Sequence, residues 1–101
     1  MDKNVKMTML LDIYGKLLTD KQQDMLDLYY NQNLSLSEIA EEAGITRQGA
    51  RKIIVEGEKK LINYEELLGF LNKKIANDKI IENLIKETKD SNFKEKLKKL
   101  L

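Results

Sequence analysis

One short stretch of the chain concentrates positive charge. Between residues 46 and 63, five basic side chains stand against two acidic ones, which gives this segment a net charge of +3. The basic residues are Arg47, Arg51, Lys52, Lys59 and Lys60, and the acids are Glu56 and Glu58. Because arginine and lysine neutralise phosphate groups, this segment is suited to contact the backbone of a nucleic acid.

The charge elsewhere is of the opposite sign. Residues 19–45 carry one lysine and six acids, a net charge of −5, while the whole chain carries +1. The field of the whole molecule is therefore weak, and the position of the basic segment matters more than the overall charge.

Two capped helices joined by a tight turn are expected to position the basic segment. Ser35 and Glu38 form a Ser-x-x-Glu capping box, which predicts a helix from Leu36. Gly44 can adopt a positive φ without Cβ strain, so the helix should end there. Thr46 then offers a hydroxyl as the next N-cap. This pattern indicates a helix-turn-helix motif, and the alternative is an ordinary helical hairpin within a bundle.

The apolar residues of the two helices fit a common core. Ala40 is small at the position where one helix would cross closely over the other. The residues expected to face this core are Ile39, Ala43, Ile45, Ala50 and Ile53.

Two more helices are predicted before the motif. The first spans Lys6 to Leu18, and the second runs from Asp20 to about Asn31 after a capping box formed by Thr19 and Gln22. The second helix carries an acidic stripe of Asp20, Asp24 and Asp27. We interpret this stripe as a solvated face, in preference to a docking surface for a basic partner or a Mg²⁺ site.

The residues from Tyr64 onward carry further apolar stripes. One runs from Tyr64 to Ile75, a second follows Asp78 as its N-cap, and a last short helix carries Phe93 and Leu97. The pattern predicts a helix-turn-helix domain over residues 1–63 and a C-terminal helical extension over residues 64–101. The extension should pack on that domain or on a second chain, because surplus apolar area on a small domain commonly marks an interface. Whether the basic helix continues past Asn63 is left open by the sequence.

The composition favours an all-α fold and argues against catalysis. The 101 residues include 35% charged side chains and no proline, and no segment alternates long enough to suggest a sheet. The absence of cysteine and histidine removes thiolate nucleophiles, the usual zinc ligands and the commonest general base, so we expect neither an enzyme nor a bound metal or cofactor. The only apolar run near the start, residues 7–11, is too short for a membrane span or a signal peptide, and a soluble cytoplasmic protein is expected.

The motif as a whole resembles region 4 of bacterial primary sigma factors. The matching segments are 18–19, 25–28, 34–36, 38–42, 44–47 and 59–61. The chain up to about Leu67 is also similar to the YlxM family of short bacterial helix-turn-helix proteins, through segments 14–22, 28–30, 34–43 and 46–48. The resemblance implies a sigma-region-4-like helical fold and a regulatory protein linked to the signal recognition particle pathway.

The same resemblance points to particular contact residues. Sigma factors read DNA with polar side chains in the first two turns of the second helix, which correspond here to Arg47, Gln48, Arg51 and Lys52. Arginine can bond guanine bidentately, glutamine can bond adenine, and lysine can hold phosphate. The sequence departs from the sigma pattern at Gly49, Ile54 and Val55, and the acids Glu56 and Glu58 would repel phosphate. These departures suggest that protein packs on the second half of this helix.

Two functions follow from this reasoning. The first is binding of nucleic acid, DNA in preference to RNA, with a regulatory outcome. The alternative is a protein-interaction module of sigma-like fold that binds a component of the signal recognition particle instead of DNA. A homodimer through the C-terminal helices is compatible with either.

Overall fold

The computed structural model describes all of residues 1–101 and contains helices and turns without any strand. The helices are α1 (Lys3–Tyr14), α2 (Asp20–Tyr30), α3 (Leu36–Ala43), α4 (Arg47–Leu68), α5 (Phe70–Glu87) and α6 (Ser91–Lys98), with a 3₁₀ turn at Gly15–Leu17. The all-α helix-turn-helix fold expected from the sequence is confirmed.

The chain forms two compact units, Met1–Leu68 and Gly69–Leu101. The expected division after Asn63 lies inside α4, which continues to Leu68. A single asparagine costs a helix less than about 1 kcal/mol relative to alanine and is too weak to end it. The helix ends where Gly69 takes a φ of +66°.

The first helix is placed differently from the prediction of Lys6 to Leu18. It begins at Lys3 and ends at Tyr14, where Gly15 opens the 3₁₀ turn. Within this turn Leu17 is 55% exposed, so it does not join the apolar face, whereas Leu18 is buried.

Helices α1, α2 and α3 pack against α4 to form the core of the first unit. The largest fully buried side chains are Tyr14, Leu10, Leu26, Ile39 and Leu61. Helices α2 and α4 approach each other closely at Gly57, because a Cβ added there would stand 2.7 Å from Cδ1 of Leu26. The glycine thus lets α4 cross α2 at a distance that a larger residue would prevent.

Polar contacts fix α4 on the same core. The hydroxyl of Tyr14 donates a 2.7 Å hydrogen bond to Oε1 of Glu65, and both residues are buried. Two turns nearer the start of α4, the hydroxyl of Tyr30 donates a hydrogen bond to Oε2 of Glu58. This carboxylate oxygen also lies 3.6 Å from Nζ of Lys3. Burial, followed by the hydrogen bond to Glu58, raises the pKa of Tyr30.

The second unit is a hairpin of α5 and α6. Asp78 does not begin a helix as predicted; it lies within α5, where its carboxylate pairs with Lys74 at 2.8 Å. Asp90 caps α6 by accepting from the backbone of Asn92 at 2.9 Å. No helix of the chain is both long and apolar enough to traverse a bilayer.

Candidate nucleic-acid interface

The capping box predicted at the start of α3 is present. Oγ of Ser35 accepts a 3.1 Å hydrogen bond from the backbone of Glu38, and Oε1 of Glu38 accepts one of 3.0 Å from the backbone of Ser35. Hydrogen bonding of the Glu38 carboxylate by the backbone of Ser35, and next by the Ser35 side chain, lowers the pKa of Glu38 below its ordinary value of 4.5. The start of α3 is therefore fixed by side chains that the sequence already identified.

The turn between α3 and α4 depends on Gly44, whose φ is +69°. The backbone of Gly44 donates to the carbonyl of Glu41, and the backbone of Ile45 donates to that of Ala40 at 3.0 Å. This is the Schellman arrangement, in which a left-handed residue satisfies the last carbonyls of a helix and reverses the chain.

Helix α4 begins three residues after Gly44, with Thr46 as its N-cap. Oγ1 of Thr46 accepts a 3.0 Å hydrogen bond from the backbone of Gly49, as expected of an N-cap. A Cβ at Gly49 would lie only 3.1 Å from that Oγ1. Gly49, one of the departures from the sigma pattern, thus has a packing reason, because it leaves room for the cap that starts α4.

The four predicted contact residues lie together on the exposed face of α4. Arg47, Gln48, Arg51 and Lys52 are all exposed. They line one concave surface with Val55, Glu56 and Lys59. We call these seven residues the α4 surface. Its last three members were not predicted as contacts, although Val55 and Lys59 follow Arg51 at successive steps of four residues.

Two charged residues of the basic segment, Lys60 and Glu58, do not belong to the α4 surface and contact other helices. Nζ of Lys60 donates a 3.2 Å hydrogen bond to Oε1 of Gln22, so Lys60 joins the packing of α2 and α4. Glu58, which was expected to repel phosphate, is turned toward Tyr30 and Lys3, and its side chain is only 13% exposed. The α4 surface therefore holds four cations against the single acid Glu56, a local charge of +3.

The apolar departures from the sigma pattern have different explanations. Ile54 is 2% exposed and belongs to the core, whereas Val55 is partly exposed. The expected packing on this half of α4 thus involves the chain's own helices at Ile54, Gly57 and Leu61. Ala43 is exposed and not in the core as predicted, because α3 ends there and its last three residues, 41–43, face solvent.

This arrangement suits a polyanion. The positive end of the α4 dipole adds to the charge of Arg47 and of the cations one turn later. The side chains at the start of a helix that follows a tight turn are the ones that can reach base edges when the helix enters a groove.

The fold and this surface define a helix-turn-helix protein. Comparison of the sequence with protein families identifies the particular family, since the family model described as "Putative helix-turn-helix protein, YlxM / p13 like" matches residues 1–101. The chain belongs to this family, which is also designated UPF0122.

Its relatives are similar over most or all of their length. A UPF0122 protein of Clostridium botulinum is 38% identical over 109 residues, covering 99% of this chain and 100% of the relative. One of Clostridium perfringens is 40% identical over 102 residues, covering 100% and 91%. One of Clostridium kluyveri is 47% identical over 74 residues, covering 73% and 67%.

Proposed function

We propose that this protein binds DNA through the first two turns of α4 and that the outcome is regulatory. The observation that carries the proposal is the joint exposure of Arg47, Gln48, Arg51 and Lys52 on one face, directly behind the turn at Gly44. In the bound state Arg47 and Gln48 contact base edges, while Arg51 and Lys52 contact phosphates.

DNA fits this surface better than double-stranded RNA does. The major groove of B-form DNA is wide enough to admit an α-helix, whereas the major groove of A-form RNA is too deep and narrow for side chains to read. The proposed site of action is the cytoplasm.

Fluorescence anisotropy with a labelled DNA duplex tests this function. Across a salt series, log affinity should fall steeply with log salt, and the Arg51→Ala/Lys52→Ala variant should reduce the slope by about 2, since each phosphate contact contributes about 1. The matched control is Lys16→Ala/Lys21→Ala, which removes two exposed cations away from the α4 surface and should leave the slope unchanged. Absence of binding at low salt, or equal slopes for both double variants, would refute the proposal.

A second candidate is a protein partner in the signal recognition particle pathway. It is supported by the partly exposed Val55 in the middle of the α4 surface, by the acid Glu56 beside it, and by the likeness to YlxM proteins. Titration with the purified GTPase of the particle and with its RNA tests this candidate. Val55→Asp should then abolish binding without unfolding the chain, in contrast to Ile54→Asp, which should unfold it because Ile54 is core.

We also propose that two copies associate through the C-terminal helices. Helix-turn-helix proteins commonly present two recognition helices to half-sites one helical turn apart. A dimer would supply the second helix.

A further inference from the structure

An exposed face of α5 carries two rows of side chains at heptad spacing. One row has members seven residues apart at Phe70, Asn77 and Leu84, and the other, three residues later, has Lys73, Ile80 and Glu87. All six are exposed, including Phe70 at 54%, Ile80 at 58% and Leu84 at 41%. This is the a and d spacing by which one helix packs along another.

The hairpin that bears these rows contains little core of its own. Within Gly69–Leu101 only Leu71 and Leu97 are buried. Units below about 40 residues seldom bury enough surface to be stable unaided. Exposed apolar side chains grouped on one face of such a unit, here Phe70, Ile80 and Leu84, are typical of an interface.

The charges in the second row indicate what covers it. Lys73 lies near the start of α5 and Glu87 is its last residue, so each has the sign that the dipole of its own helix disfavours. Neither forms an ion pair within the chain, whereas the neighbouring Lys74 is paired with Asp78.

An antiparallel copy of α5 would satisfy both charges. With a two-fold axis at Ile80, Lys73 of each copy faces Glu87 of the other, because both lie seven residues from the axis in opposite directions. Each charge then also lies at the favourable pole of the opposing helix. A parallel copy would instead place Lys73 beside Lys73 and Glu87 beside Glu87, which is unfavourable.

We propose that a second copy of this chain covers this face, with the two α5 helices antiparallel about Ile80. In this arrangement Ile80 packs against Ile80, and Leu84 packs beside Asn77 on either side of the axis. The inference builds on the proposed dimer but not on DNA binding, so a failure to bind DNA would leave it intact.

Cross-linking of single-cysteine variants tests the orientation, since the natural sequence has no cysteine. Ile80→Cys should give a covalent dimer in high yield with a short bifunctional thiol reagent. Phe70→Cys should not, because ten residues of helix on each side of the axis place the two thiols about 30 Å apart. Efficient cross-linking of both variants would indicate a parallel pair and overturn the proposal, and so would cross-linking of neither.

A charge exchange tests the pairing independently. Lys73→Glu and Glu87→Lys should each raise the dissociation constant of the dimer, measured by sedimentation equilibrium, about five- to tenfold, because each change affects two symmetric pairs. The double variant should return within about twofold of the natural protein. Lys79→Glu, at an exposed position outside both rows, is the matched control and should have little effect. A monomer at about 100 μM protein, or a double variant as weak as the single ones, would refute the arrangement.

Discussion

Tyr14 at the end of α1 donates a buried hydrogen bond of 2.7 Å to Glu65 near the end of α4, although 51 positions separate the two residues in the sequence. This contact holds the C-terminal half of α4 against α1. The start of the same helix carries the α4 surface, so the contact helps to set the direction in which that surface points.

Removal of the Tyr14 hydroxyl should therefore destabilise the fold. We expect Tyr14→Phe to lower the free energy of unfolding by about 1–3 kcal/mol, because a buried carboxyl oxygen loses a donor while the ring packing is retained. Urea denaturation measures the change. The matched control is Tyr64→Phe, whose hydroxyl makes a longer, exposed bond of 3.3 Å to the carbonyl of Leu17 and should matter much less. Equal effects of the two changes would contradict the assigned role of Tyr14.

The close crossing of α2 and α4 gives a second prediction. Alanine at Gly57 would normally favour a helix by about 1 kcal/mol, yet its Cβ would lie 2.7 Å from Cδ1 of the fully buried Leu26. We expect Gly57→Ala to destabilise the protein by about 1–3 kcal/mol through overpacking. Asn63→Ala, at an exposed position of the same helix, should be neutral or slightly stabilising in the same thermal unfolding assay. A gain in stability from Gly57→Ala would show that the crossing can widen freely.

The capping box of α3 predicts a dependence on pH. Because hydrogen bonds from Ser35 lower the pKa of Glu38 in the folded chain, its contribution to stability is complete above the ordinary value of 4.5 and is lost as the pH falls through the lowered folded-state pKa. The Glu38→Gln variant keeps an acceptor without this titration. The difference in stability between natural protein and variant should therefore shrink in acid, as measured by denaturation between pH 3 and pH 6. A difference that stays constant over this range would contradict the assignment.

Sequence specificity should be separable from general affinity on the α4 surface. If Arg47 and Gln48 contact bases, alanine at either position should reduce the discrimination between a selected DNA site and random DNA by about 1–3 kcal/mol. Lys52→Ala should weaken binding to both by a similar factor, because a phosphate contact carries no sequence information. Competition binding against random duplex measures the two effects. Similar losses of discrimination for Lys52→Ala and Arg47→Ala would contradict these roles.

Some features of the molecule could be predicted from the sequence because they depend on neighbouring residues. The caps at Thr19, Ser35 and Thr46 and the left-handed turn at Gly44 require only side chains and backbone within a few positions of each other. The helical period likewise predicted the burial of Ile39 and Ala50.

Other features required the tertiary structure. Nothing in the local sequence shows that Glu58 is bound by Tyr30, that Lys60 is bound by Gln22, or that Val55 and Lys59 join the α4 surface. The sequence left open whether α4 continues past Asn63, and the structure shows that it does. The continuation of α5 past Asn77 and Asp78 was missed, because asparagine and aspartate are weak stops that helix propagation and packing can override.

The sequence by itself thus determined the helix-turn-helix motif and the residues at the start of α4, since capping, turn geometry and helical period act over fewer than ten residues. The tertiary structure decided which charges of α4 remain exposed, because that depends on the side chains that α1 and α2 bring against it from 28 to 55 positions away. Glu56 and Glu58, which stand on either side of Gly57, therefore lie in different environments. One lies on the open surface, and the other is held within the packing of three helices.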